Sequence, residues 1–178
     1  MSTPQIPNPG KLILSILSSK WEAFWPGLLQ DLEQELGQAD YISEDFLFTQ
    51  TQYYDQELDT PIFRRILSFT RLIPLDGLAD VKLFTNSLEQ RFAQNKKRTF
   101  NLDPGIITLE RLVLATGKNF THRIYIGKGI WADLTLIFTK KDWKAMEWTF
   151  PDYASEDIKQ RLRTIRSNYQ QQLSMHKG

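Results

Sequence analysis

Apolar positions along this chain switch between contiguous, alternating and fourfold spacing, and each switch marks an element. Leu12 to Leu17 is an apolar run broken only by Ser15, the pattern of an inner strand covered on both faces. Ser18 or Ser19 can then cap a helix. Phe24, Leu28, Leu32 and Leu36 recur every four residues, Gln30, Asp31 and Glu33 to Glu35 lie elsewhere, and Gly37 is placed to end that helix. Pro26 lies beyond the first turn, so either it kinks the helix or the regular part starts near Trp25. Phe46 to Thr49 and Ile62 to Leu72 read as strands. Leu78, Val81, Phe84, Leu88 and Phe92 give one face of a second helix, with Lys82, Asn86 and Glu89 on the other, a stripe that is usually solvated. Arg98 to Leu102 reads as another strand.

That order predicts an α+β fold with a ferredoxin-like βαββαβ core. Beyond it, Asp103-Pro104-Gly105 suits a type II turn. Ile106, Leu109, Leu112 and Val113 fit a short helical face, although the β-branched residues there also fit a strand; the helix is preferred. His122 to Ile126 and Ile130 to Phe138 read as strands around a tight turn at Gly127-Lys128-Gly129, with a further strand over Ala145 to Phe150. Ser155 can cap a last helix striped by Ile158, Leu162, Ile165, Tyr169 and Leu173. The core is thus extended by a C-terminal antiparallel hairpin and a terminal helix. Residues 1–10 are expected to be a disordered tail, and 11–174 a single α+β domain.

Composition narrows the function classes. The chain has 178 residues, 41% hydrophobic and 24% charged, which fits one globular core. Lysine plus arginine number 22 against 21 acidic residues, so a nucleic-acid partner would have to meet a local basic patch. Cysteine is absent, which removes thiolate chemistry and fits a reducing compartment. Lys11 with LILSIL lacks the basic leader and cleavage site of a signal peptide, and no apolar run approaches the roughly 20 residues of a membrane helix. A soluble, cytoplasmic protein without a membrane partner is the expectation.

The words NLDPG, LATGKNFTHRIYIGKGIWADLTLIF and WTFPDY, with KLILSILSS, YYDQEL, RRILSF and KLFTNSLEQRF before them, resemble the prokaryotic family known as domain of unknown function 4416. The resemblance spans nearly the whole ordered chain. It carries over no established activity. Asp133 departs from the family pattern, which usually has glutamate there; the carboxylate is kept and its reach is one methylene shorter.

Four constellations carry candidate chemistry. Asp103, Lys118, His122, Arg123 and Asp133 converge if the strands after Gly117 pair with the one ending at Leu102; cations would hold an anion, and Asp103, His122 and Asp133 would be the catalytic acid, base or metal-binding groups. Ion pairing that ties a hairpin to the sheet is the competing role. Strand alternation places His122 and Arg123 on opposite faces, which splits the cluster. Tyr53, Tyr54, Asp55 and Glu57 with Arg64 and Arg65 form an aromatic, acidic loop beside two cations; Tyr54 and Arg65 are its candidate ligand contacts, with packing over the core as the alternative. Asn86 is the candidate from the helix stripe. Trp148 to Tyr153 either packs a turn or offers an aromatic wall.

Several mechanisms are excluded by missing motifs. Neither Gly117-Lys118 nor Gly127-Lys128 has the earlier glycine of a phosphate-binding loop, and GxGxxG, GxSxG and HExxH are absent. The only other histidine is His176, so a histidine-rich metal site is excluded, while magnesium arriving with a phosphate substrate stays open; no pattern names a cofactor. The leading expectation is binding of a small anionic ligand such as a nucleotide or phosphorylated metabolite, with catalysis on it left open. The alternative is an RNA- or protein-interaction module using Trp131, Trp143 and Lys140-Lys141 on an exposed sheet face.

Overall fold

The computed structural model describes residues 1–95 and 97–175; His176 lies outside them. The apolar run forms β1 (Gly10–Ser18), buried along its whole length. Two helical pieces follow, α1 (Trp21–Phe24) and α2 (Gly27–Leu36), because Pro26 separates them and its carbonyl accepts the Gln30 N–H at 3.2 Å. Gly37 closes α2 at φ +92, in the left-handed region that glycine enters without strain. Next come β2 (Ala39–Ile42), β3 (Phe46–Leu47), α3 (Asp55–Leu58), β4 (Phe63–Ile73), α4 (Leu78–Arg91) and β5 (Asn101–Ile107). The C-terminal half supplies β6 (Arg111–Thr116), β7 (Arg123–Gly127), β8 (Ile130–Thr139), β9 (Asp142–Ala145) and α5 (Glu156–Met175).

The strands build one sheet in the order β2-β4-β1-β5-β6-β8-β7, with β3 on β4 and β9 on β8, every pairing antiparallel. Nine strands are more than a four-stranded core with one added hairpin. The difference arises at residues 101–116. Asp103-Pro104-Gly105 is interior strand, not a turn, and the segment expected to be a short helix is the hairpin of β5 and β6, with Ile107 opposite Leu112 and the turn at Leu109-Glu110. The spacing of Ile106, Leu109, Leu112 and Val113 fitted a helix by coincidence, and the β-branched content decided the outcome. Likewise 146–150 is turn, and the last short strand lies earlier, at β9.

Both sheet faces are covered, which is why β1 is continuously apolar. One face carries Leu12, Leu14, Ile16, Leu67, Phe69 and Leu102 under α1, α2 and α4. The other carries Ile13, Ile66, Ile107, Leu112 and Leu136 under the stripe of α5, whose start is capped by the Ser155 hydroxyl accepting the Ile158 N–H at 3.3 Å. Among the described residues no helix is long and apolar enough to cross a membrane.

The β5–β6 ladder covers only Gly105 to Ile107, so the strands part on the Asn101 side of that point. Gly105 is needed at the parting: a Cβ there would stand 2.7 Å from a Leu114 methyl and 2.8 Å from the Val113 carbonyl. In the gap, α4 replaces the missing strand. Glu89 accepts the Leu102 N–H at 2.6 Å and Lys82 donates to the Leu102 carbonyl at 2.7 Å. Backbone alternation turns Pro104 toward the same gap, so its lack of an N–H breaks no ladder bond.

Candidate functional site

The parting of β5 and β6 opens a pocket of about 740 Å³ on the face that α5 only partly covers. Adjacent register positions put Arg64, Leu17 and Asn101 in one row across β4, β1 and β5, and Leu114, Asp133 and Arg123 in another across β6, β8 and β7. These two rows are opposite walls of the pocket. Lys82 and Asn86 reach it from α4 through the gap, while Phe150 to Tyr153, ahead of α5, close one side.

Of the residues singled out by sequence, Asp103, Asp133, Lys118, Arg123, Tyr54 and Asn86 all line this pocket. They meet by a different route from the one expected, since β7 pairs with β8 while β5 is joined through β6. Two candidates fall elsewhere. Arg65 is on the opposite sheet face, between the rings of Trp21 (4.2 Å) and Trp25 (4.6 Å) and paired with Asp45, so it holds α1 to β4 and contributes nothing to the pocket. His122 does not line the pocket either: it stands behind Asp133, with Nε2 3.1 Å from Asp133 Oδ2 and its ring stacked on Trp148 at 5.1 Å.

The expected split between His122 and Arg123 is also corrected. His122 precedes β7 and sits in a turn, so strand alternation does not apply to it, and both side chains converge on Asp133 Oδ2. Thr135 donates to the other oxygen at 3.3 Å. Asp133 is therefore a committed carboxylate that fixes Arg123, whose Nη1 also donates to the Lys118 carbonyl at 3.0 Å. Asp103 is freer. Its Oδ2 accepts from Asn101 at 2.6 Å, and Oδ1 has only Lys82 at 3.5 Å.

Lys82 and Glu89 are buried rather than solvated, because the gap gives each a backbone partner that water would otherwise supply. Arg98 donates to Glu57, Glu89 and Asn101 through all three of its nitrogens, and the two carboxylates raise its pKa. The two carboxylates respond in opposite directions. Hydrogen bonding to Arg98 lowers Glu57, whereas desolvation by burial raises Glu89. Desolvation also pushes the hydroxyls of Tyr54 and Tyr153 up.

Sequence reasoning named Arg64 beside Arg65 but chose Arg65 as the ligand contact. The Arg64 guanidinium is 3% exposed, lies over Phe48 (4.8 Å) and Tyr153 (5.2 Å), and donates through Nη2 to Asp152 at 2.6 Å. Its Nε and Nη1 have no hydrogen-bond partner among the described residues. No sequence signal separated it from Arg65, because both faces of β4 are apolar around the pair. Lys118, at the mouth, meets only the neutral Tyr53 hydroxyl among the described residues, at 2.9 Å, and that contact lowers the tyrosine pKa. At the other end of the C-terminal sheet Trp143 is buried, edge-on to Phe138, so it offers no exposed aromatic face beside Lys140 and Lys141. Among the described residues no group of three His, Asp or Glu side chains is placed to hold a metal ion.

An α+β protein with a buried, partly unpaired arginine at a splayed antiparallel sheet is thus the class that fold and site define. Residues 8–169 match the family described as Domain of unknown function (DUF4416), and the chain belongs to it. Neither the comparison with curated proteins nor that with solved structures gives a match.

Proposed function

We propose that this protein binds a small anionic ligand, a phosphorylated metabolite or nucleotide, in the pocket between β5 and β6. The observation that carries the reading is Arg64: a buried guanidinium with two unpartnered nitrogens on the wall of a cavity large enough for such a ligand. Leaving buried donors unpaired costs about 1–3 kcal/mol, and the oxygens of a phosphate or carboxylate remove that cost by accepting charge-assisted hydrogen bonds from them. Lys118 adds a second cation that no carboxylate neutralises among the described residues. If a proton moves on the ligand, Asp103 is the group that takes or gives it, while Asp133 and His122 hold Arg123 in place.

The strand order β2-β4-β1-β5, with α2 and α4 on one face, supports reading the N-terminal half as a ferredoxin-like core whose added strands create the pocket. A cytoplasmic location belongs to the same proposal, supported by the lack of cysteine. A thermal-shift screen of the full chain against sugar phosphates and nucleotides tests it. A phosphorylated compound should raise Tm, and Arg64→Met should reduce that shift. No shift with any anion, or an undiminished shift in Arg64→Met, contradicts the proposal.

A further inference from the structure

The cations of the pocket are not gathered at one point. Arg64 belongs to β4 and Arg123 to β7, with β1, β5, β6 and β8 between them. Four laddered spacings of about 4.8 Å, roughly 19 Å in all, and the wider parting of β5 from β6 separate the two backbones along the sheet. Each guanidinium is also tied to its own wall, Arg64 by Asp152 at 2.6 Å and Arg123 by Asp133 at 2.9 Å, so neither is free to swing across. One phosphate cannot engage both. Lys118 sides with Arg123, whose Nη1 is bonded to its carbonyl. The other cations of the wall, Lys82 and Arg98, are already engaged by the Leu102 carbonyl and Asp103 and by Glu57 and Glu89, while Asn86, Thr116 and Asp103 offer amide, hydroxyl and carboxylate groups suited to hydroxyls.

Resting on the reading above, we infer that the ligand is anionic at both ends, a doubly phosphorylated polyhydroxy compound of the sugar bisphosphate class. One phosphate seats at Arg64, and the other at Lys118 and Arg123. The hydroxylated middle lies over Asp103 and Asn86. Tyr53, whose hydroxyl accepts from Lys118 and whose ring stands edge-on to Tyr54 at 5.0 Å, borders the second phosphate and exchanges its lysine contact for the ligand.

Titration calorimetry on the full chain with fructose 1,6-bisphosphate, fructose 6-phosphate and fructose separates this inference from its premise. The bisphosphate should bind at least about tenfold tighter than the monophosphate, since two fixed anchors act on one molecule, and fructose should give no heat of binding. Lys118→Ala, an exposed position, should reduce the bisphosphate to the affinity of the monophosphate and leave the monophosphate within about twofold. Arg64→Met, checked for folding by circular dichroism, should weaken both. Equal affinity for bisphosphate and monophosphate overturns the two-ended ligand while leaving the anion reading standing. Absence of binding by either phosphorylated probe overturns both.

Discussion

Two buried cations on the same face of the sheet make opposite use of their burial. Lys11, in β1, is fully buried, paired with Asp40, and donates to the Gln172 side chain of α5 at 2.8 Å, while Ser68 donates to the other Asp40 oxygen at 2.6 Å. That network is closed and ties the end of α5 to the sheet. Arg64 has a carboxylate too, yet two of its nitrogens face no acceptor among the described residues, and it lies on the wall of a cavity. The Lys11 network holds the fold together; the Arg64 site keeps hydrogen-bonding capacity in reserve. A cation's burial alone does not separate scaffold from site, whereas counting its partners does.

The largest effect should come from breaking the closed network. Lys11→Met leaves Asp40 without its cation and should cost about 3–5 kcal/mol in urea denaturation. Arg64→Met should cost less, about 1–2 kcal/mol, because losing donors that had no acceptor offsets part of the loss of the Asp152 pair. It should also weaken the response to phosphorylated ligands, which Lys11→Met at a permissive temperature should retain in full. Equal destabilisation by the two substitutions would dissolve the distinction between the sites.

A finer contrast lies in the two carboxylates on Arg98. The folded pKa of Glu89 is raised by burial, so its contribution to stability is present below its ordinary value near 4.5 and is lost as pH rises through the folded value. Glu57 is lowered by Arg98, so its contribution is present above the ordinary value and is lost as pH falls through the folded value. Denaturation midpoints from pH 3 to 8 should therefore show Glu89→Gln removing a decline on the alkaline side of about 4.5, and Glu57→Gln removing a loss on the acid side. The smallest stability effect belongs to Lys118→Ala, within about 0.5 kcal/mol, since that side chain is exposed.

The sequence made the elements legible where period and punctuation agreed. β1, the two long stripes of α2 and α5, and the Gly127-Lys128-Gly129 turn, with Lys128 at φ 56 and Gly129 at φ 76, lie where spacing, caps and glycines put them. The 106–113 segment misled because an eight-residue stretch can satisfy both periods, and only pairing with neighbours across the sheet resolves it. Six of the eight site residues named from sequence line one pocket, because Asp103, Lys118, Arg123 and Asp133 come from strands or strand ends on adjacent rows. Arg64, named beside Arg65, was not chosen over it for a different reason. Its value lies in the acceptors it lacks, and an absent partner leaves no trace in a local pattern. Lys82 and Glu89 read as a solvated stripe because nothing in α4 reveals that β5 and β6 part beside it.

The central claim is that Arg64 waits for an anion, and its Nε–H reports on that directly. Two-dimensional ¹H–¹⁵N spectra of the arginine side chains, with the Arg64 signal assigned by its loss in Arg64→Lys, should show that resonance shifting saturably as fructose 1,6-bisphosphate is added, with Arg98 almost still because its donors are already occupied. An Arg64 signal that does not move while the ligand binds elsewhere, or does not bind, contradicts the account.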